Sequence, residues 1–465
     1  MTSLTSATIL IEEARPPGWR PLLRAASLSG AAAIASGALS VAATKIFAAM
    51  LGPAEVAMLT TLQQIRQAGV TGATLNGQTA LVQGVSARHG MEQRRFLRTA
   101  LVLMTTATLL VTVLALVAPG WLASSTGFGA QRAGLIRWLA VPVALSSALV
   151  FLSAVLTARC EIGQLAWVQI ASPAAMAVLA YPVACLLRAG HQDAVVGWLA
   201  ASAAVAAIVA LAPLNRESVR FWFRGRGEWW SAPAARGFMR MSGSLLASGS
   251  AASLVLLAAR ARILHRQGFA VGGQFDAAWA ISVNHVSLIL ASLQTFCLPV
   301  LARTPDRADR NAHLTRMLTA AALAAAGIIC VLALLKPVVL ALFYSEAFRE
   351  AARYLRWTLV GDYLKVSSWV LSIPMLASAD MRAFLAADLS AFAVFSAGAA
   401  IAGHFRGAAE GVAMAFVAMY AAHLAICGSI AWRRYGFRPD LKMVLIWTGG
   451  LLAVVTVSAL TWRAG

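Results

Sequence analysis

Asp362 and Lys365 interrupt an otherwise apolar run, Trp357 to Leu371, that reads W-T-L-V-G-D-Y-L-K-V-S-S-W-V-L. An ionisable group at membrane depth costs about 2.5 to 3.5 kcal/mol to insert, so it faces a protein partner, a water-filled cavity or a transported substrate. Three residues apart on a helix, the two side chains share a face and can pair. Two chemistries fit: a structural pair that locks helices together, or a charge site used in transport. A second polar set lies in the run Val56 to Gln83, where Gln63, Arg66, Gln67, Thr71, Thr74 and Gln78 recur at helical spacing. Lipid excludes such a stripe, so it lines a cavity or hydrogen-bonds to neighbouring helices.

The elements that carry these residues follow from composition. Of 465 residues, 60% are hydrophobic and 12% charged, and the mean hydropathy is +0.74. These values predict an all-α polytopic membrane protein. Spans of about 20 residues with short loops fill the chain about thirteen times and leave little room for a soluble domain. Residues 1–22 are expected to form a cytoplasmic arm, because Glu12 and Glu13 precede Arg15, unlike the basic start of a signal peptide. Residues 23–214 hold six apolar runs and 241–434 six more, while 435–465 hold one extra span. Aligning Ser27 with Ser242 sets Lys45 opposite Arg260, a weak repeat that predicts two six-helix lobes around a central cleft.

The formal charge of +20 comes mostly from arginines in short loops, which points to anionic lipid head groups and not to nucleic acid. Between the halves, residues 215–240 interleave Arg216, Arg220, Arg224, Arg226, Arg236 and Arg240 with Phe221, Trp222, Phe223, Trp229 and Trp230. Beside two spans, this pattern predicts a cytoplasmic linker at the membrane interface. The balance of loop Lys and Arg places the N-terminus in the cytoplasm. Val338 to Arg356 reads as an amphipathic helix lying on the outer surface.

Several classes are disfavoured. None of the lysines Lys45, Lys336, Lys365 and Lys442 follows a glycine, so a P-loop is missing. No H-E-x-x-H occurs, and the five cysteines are scattered without a C-x-x-C spacing. An enzyme acting on sugars would need acidic residues and a large outer loop; only 18 carboxylates are present, most of them in loops. No cofactor is expected.

The runs Lys45 to Ala54 (K-I-F-A-A-M-L-G-P-A), Asn76-Gly77, Leu298 to Arg303 (L-P-V-L-A-R) and above all Trp357 to Val366 (W-T-L-V-G-D-Y-L-K-V) resemble the Wzx polysaccharide flippases, and among them the lipid III flippase. The similarity extends thinly over residues 22–434. It implies the multidrug/oligosaccharidyl-lipid/polysaccharide (MOP) superfamily fold and a cationic cavity. It further implies alternating access that carries an undecaprenyl-pyrophosphate oligosaccharide from the cytoplasmic to the periplasmic leaflet of a bacterial inner membrane. The thirteenth span departs from the usual twelve.

Substrate chemistry and residue types then meet. A lipid pyrophosphate needs cations along its path, and Lys45, Arg66, Arg260, Arg262 and Arg303 are available, with Lys365 in the cavity wall. Gln63, Gln67, Asn284 and His285 could hold sugar hydroxyls. Without an ATPase motif, uphill steps need an ion gradient, and Asp362, then Asp388, are the expected carriers. The partners implied are membrane lipids and the lipid-linked oligosaccharide, with polysaccharide polymerase and chain-length proteins as further associates. A multidrug exporter of the same superfamily and a non-transporting scaffold of a polysaccharide synthase complex are the alternatives. An exporter of cationic drugs would call for acidic cavity walls.

Overall fold

The computed structural model describes residues 19–159, 161–212, 228–303, 306–378 and 380–461. The N-terminal arm up to Gly18 and the 213–227 part of the expected linker, with Arg216, Arg220, Arg224 and Arg226, lie outside the described residues. Among those described, every regular element is a helix. The first half comprises α1 (Trp19–Met50), α2 (Pro53–Ala73), α3 (Gln78–Ser86), α4 (Gly90–Val117), α5 (Pro119–Ser125), α6 (Ala133–Trp138), α7 (Ala140–Ala158), α8 (Ile162–Arg188) and α9 (Ala194–Leu211). The second comprises α10 (Ala232–Arg303), α11 (Arg307–Leu334), α12 (Lys336–Phe343), α13 (Ala351–Ala377), α14 (Met381–Phe405), α15 (Ala408–Tyr435) and α16 (Leu441–Leu460).

Ten stretches among the described residues are helical, long and apolar enough to cross a membrane. Their outer faces are what lipid requires: Leu110 is 67% exposed, Val178 75% and Leu452 66%. The polar α2 and α13 are not among the ten, because their stripes of amides and charges lower their hydropathy. Both are instead enclosed by other helices, α2 by α10, α4 and α7, and α13 by α10, α11, α15 and α16.

Two expectations about element boundaries are corrected. The run Val56 to Gln83 is not one helix: Leu75 and Asn76 take positive φ (53° and 46°), which ends α2 and starts α3 on a new axis. Asn tolerates this conformation better than most residues. Its side-chain amide also donates to the Leu245 carbonyl of α10 at 2.7 Å. The segment Val338 to Arg356 is not one surface helix but α12, a 3₁₀ turn over Glu346–Phe348 and the first turns of α13. Tyr344 leaves helical geometry after α12 and Ser345 is extended, which breaks the run. The seventh and eighth expected spans are the two arms of α10, 232–267 and 269–303, hinged where Gly268 takes φ 82°.

The halves meet where α2 runs against α10. Glycines make this approach close: a Cβ on Gly273 would lie 1.8 Å from the Pro53 carbonyl oxygen, and one on Gly249 2.7 Å from the Asn76 amide. Small residues serve this purpose in membrane helices, where dispersion contacts replace the hydrophobic drive between elements. At the other side of the second half, α16 is fastened to α13. The Tyr363 hydroxyl donates to the Trp447 carbonyl (2.8 Å), and Trp447 Nε1 donates to Ser367 Oγ (2.8 Å).

Gly273→Ala is expected to destabilise the protein by about 1 to 3 kcal/mol, because the obstructing atom is backbone and cannot rotate aside. A thermal melt of the purified protein in detergent checks this, and a variant melting with wild type would contradict the α2–α10 contact. Asp380, in the turn before α14, accepts from the Ala383 N–H and from Arg434. The Ala383 N–H chiefly, with Arg434 and Tyr435, holds its carboxyl below the usual value of 3.8. A depressed acid stabilises the fold above its unfolded value and loses that contribution as pH falls through the folded one. Asp380→Asn is therefore expected to lower the melting point at neutral pH, with the gap to wild type narrowing once pH drops below 3.8.

Candidate substrate and ion site

The Trp357–Leu371 stretch lies within α13, and Asp362 is fully buried there. Its immediate neighbourhood explains the placement. Gly361 lets the Phe416 ring of α15 press against the helix, since a Cβ there would lie 2.3 Å from that ring. Ser282, on the second arm of α10, donates its hydroxyl to Asp362 Oδ1 at 2.9 Å. Lys365, half-buried, holds its ammonium 5.6 Å from the centre of the Tyr420 ring on α15, a cation–π distance. Tyr420 in turn lies within electrostatic reach of Asp362, Lys365 and Asp388.

Asp388, on α14, joins the same cluster. Its Oδ2 accepts from Ser248 of α10 at 2.5 Å, and its Oδ1 lies 3.3 Å from His423 Nε2 on α15. His423 Nδ1 lies 3.0 Å from Ser368 Oγ, one turn beyond Lys365 on α13. Four helices therefore meet at one polar centre containing Asp362, Lys365 and Asp388. The sequence reasoning missed His423, Tyr420, Ser248, Ser282 and Ser368. A signal was present: Tyr420, His423 and Cys427 share one face of an apolar span by their spacing of three and four, the rule that had singled out Asp362.

The cations divide differently from expectation. Arg260 does not stand open to a ligand; it is buried and paired with Asp276, linking the two arms of α10 across Gly268. Lys45 Nζ donates to the Ala341 and Tyr344 carbonyls at the end of α12, and Arg262 Nη2 to the Ala400 carbonyl near the end of α14 (3.0 Å). Arg188 adds a bond to the Met50 carbonyl that ends α1 (2.8 Å). Lys45 and Arg188 thus reach carbonyls at helix C-termini, which lack intrahelical partners. Arg66, half-buried, donates from Nη1 to Ser146 of α7 at 2.8 Å, within the first half. Gln63, half-buried, and Gln67, exposed, share its face of α2. The side chains of Asn284, His285 and Arg303 lie outside the described residues.

Two further features frame the site. Glu410, buried at the start of α15, accepts from Arg353 (2.6 Å), Arg356 (2.7 Å) and Trp357 (3.3 Å), so the arginines expected on an outer surface helix anchor α13 to α15. A mainly apolar cavity of about 580 Å³ lies beside α16, lined by Leu371, Leu424, Trp432, Met443 and Trp447 among others. None of the predicted site residues lines it. No group of three or more potential metal ligands occurs among the described residues.

No protein-family model matches the sequence. Over 159 residues the chain is 29% identical to the lipid III flippase of Escherichia coli (strain K12) and equally to that of Shigella flexneri; the match takes in 33% of this chain and 38% of each relative. The chain thus spans well under half the length of the curated relatives it matches. Among solved structures it superposes on the lipid II flippase MurJ in an inward closed conformation with a TM-score of 0.62 at 13% identity, covering 95% of this chain and 99% of that one. An inward-facing multidrug resistance MATE transporter gives 0.63 at 13%, covering 92% and 99%. A MOP-superfamily transporter from Pyrococcus furiosus, described as having a binding pocket of reverse polarity, gives 0.64 at 14%, covering 93% and 95%. The chain shares the fold of these solved structures and, over a third of its length, is similar in sequence to lipid III flippases.

Proposed function

We propose that the protein is a flippase of the bacterial inner membrane that carries an undecaprenyl-pyrophosphate-linked oligosaccharide from the cytoplasmic to the periplasmic leaflet. The observation that carries this proposal is the polar centre of Asp362, Lys365 and Asp388, enclosed by four helices of a MOP-type fold in a chain similar to lipid III flippases. Ionisable groups that are neither exposed to water nor spread on lipid are retained where charge or ions must pass. Ion-gradient coupling is assigned to Asp362 and Asp388. Substrate contacts are assigned to Lys365, Arg66, Gln63 and Gln67, with Asn284 and Arg303 kept in the set. Lys45 contributes by closing one end, since its bonds to the end of α12 join α1 to the second half. Arg262 acts similarly on α14, and Arg260 acts through the shape of α10.

A pyrophosphate that links lipid to sugar carries two negative charges through a low-dielectric region, so half-buried cations on both halves lower its barrier. Alternating access fits the geometry because the bonds that join the halves at the Lys45 end are to carbonyls, each strong enough to hold a state and weak enough to release it. Polymerase and chain-length proteins remain partners in this proposal, and the N-terminus is placed in the cytoplasm.

The test is translocation of a fluorescent undecaprenyl-pyrophosphate oligosaccharide in proteoliposomes under an imposed proton gradient. Transport by Asp362→Asn and by Lys365→Ala is expected to fall by about tenfold or more, since each removes a charge from membrane depth. Full transport by a normally inserted Asp362→Asn removes this carboxylate from the mechanism. Movement of cationic dyes with no movement of lipid assigns the protein to drug export instead.

A further inference from the structure

The cavity of about 580 Å³ beside α16 lies between the C-terminal turns of α15 and the first turns of α16, with the buried Leu318 of α11 and Leu371 of α13 behind it. Its outer walls face away from the bundle: Trp432 is 61% exposed and Val444 37%. Donors along the groove are already used within the protein. Ser429 donates to the Ala425 carbonyl (2.7 Å), Thr448 to the Val444 carbonyl (2.8 Å) and the Trp447 indole to Ser367. Apolar cavities of this kind hold no ordered water. Both flanking helices are long and apolar enough to cross a membrane, so the groove opens at membrane depth, where hydrocarbon chains are the available filling.

One end of the groove reaches the turn between α15 and α16, and that turn is held firmly. Gly436 takes φ 71°, and the Phe437 N–H donates to the Ala431 carbonyl at 3.1 Å. Asn311 of α11 binds the Arg438 main chain twice, accepting from its N–H at 2.7 Å and donating to its carbonyl at 3.3 Å. Arg438 is thereby rooted in the lining of the groove with its side chain exposed. The acidic neighbours are occupied: Asp440 and Asp306 accept from N–H groups that start α16 and α11, and Asp380 pairs with Arg434. Four exposed cations around the turn, Arg307, Arg433, Arg438 and Lys442, are left without an ion pair among the described residues.

We infer that this groove binds one anionic phospholipid of the surrounding bilayer, with an acyl chain between α15 and α16 and the phosphate on Arg438 and Lys442. A guanidinium holds phosphate through parallel N–H bonds, and an ammonium adds a point charge. A head group with net negative charge is preferred over a zwitterionic one, which would bring its own cation against Arg307 and Arg433. The occupant is a bilayer lipid and not the lipid-linked oligosaccharide, because the groove and the polar centre use different faces of the same helices. On α15, His423 turns to Asp388, whereas Leu424, about 100° further round, lines the groove. The site does not depend on the flippase reading.

The experiment is native mass spectrometry of the delipidated full chain, titrated with phosphatidylglycerol and, separately, with phosphatidylcholine of the same acyl chains. The first phosphatidylglycerol is expected to bind about tenfold or more tighter than phosphatidylcholine, and the double variant Arg438→Gln, Lys442→Gln is expected to lose that preference. Ser429→Phe on α15 and, separately, Thr448→Phe on α16 place a ring in the groove, so that misfolding of one leaves the other. Each is expected to weaken the first phosphatidylglycerol by about tenfold or more with all four cations in place. Equal binding of the two lipids by wild type, or a preference that survives the double variant, overturns the site. Undiminished binding in a folded groove-filling variant reduces the cluster to a surface attraction and overturns the groove. Undecaprenyl pyrophosphate added as competitor is expected to leave the bound phosphatidylglycerol in place; its displacement would assign the groove to a polyprenyl chain and overturn the phospholipid. Transport is not read in any arm, so failure of the flippase reading leaves these outcomes unchanged.

Discussion

A charge at membrane depth must find its partner in the protein, and the second half of this chain is arranged around that requirement. Asp276 and Arg260 meet across the hinge of α10. Glu410 is gripped by Arg353 and Arg356, and Asp388 lies between Ser248 and His423. Each of these groups would be costly alone, and removing one member of a buried pair costs about 3 to 5 kcal/mol. The pairs that span two helices therefore set which helices are adjacent and at what height. In the first half single hydrogen bonds join neighbouring helices: Thr108 of α4 donates to the Ala73 carbonyl of α2 at 3.3 Å, and Trp198 Nε1 of α9 donates to the Met176 carbonyl of α8 at 2.9 Å.

The contact between the halves obeys a different rule. Along α2 and α10 the backbones approach until glycine is required at Gly273, and at Gly249 the Asn76 side chain takes the space a Cβ would fill. Close backbone contact is stiff, because an added methyl group has nowhere to go. At the Lys45 end the connection is made by cations reaching carbonyls at helix ends, bonds that water or an anion can replace. The contact between the halves thus combines a close seam along α2 and α10 with bonds that solvent can replace.

How far the sequence revealed this depended on polarity. Asp362, Lys365 and Asp388 stood out because charge is rare in apolar runs, and all three do lie at one polar centre. The all-helical fold was legible for the same reason, as long apolar stretches leave the backbone few other ways to satisfy its hydrogen bonds. The break at Leu75 and Asn76 was not legible, since positive φ at two non-glycine residues depends on a carbonyl of α10 that is 169 positions distant. Arg260 was misjudged because its partner, Asp276, lies beyond a hinge that hydropathy does not mark. His423 was passed over because one histidine in an apolar helix is ordinary until a carboxylate from another helix is set against it.

The last helix, α16, is held at one of two adjacent positions of α13 where serines face different neighbours. Ser367 donates to the Tyr363 carbonyl of its own helix and is left as an acceptor. Successive residues point about 100° apart on a helix. Ser367 thus receives Trp447 of α16, while Ser368 Oγ lies 3.0 Å from His423 Nδ1 of α15. The α13 helix that carries Asp362 and Lys365 is therefore held to α16 on one face by an indole and to α15 on the other by an imidazole. Through Tyr363, Ser367 and Trp447, α16 fixes the position of the helix that carries the charges, beyond what apolar packing alone provides.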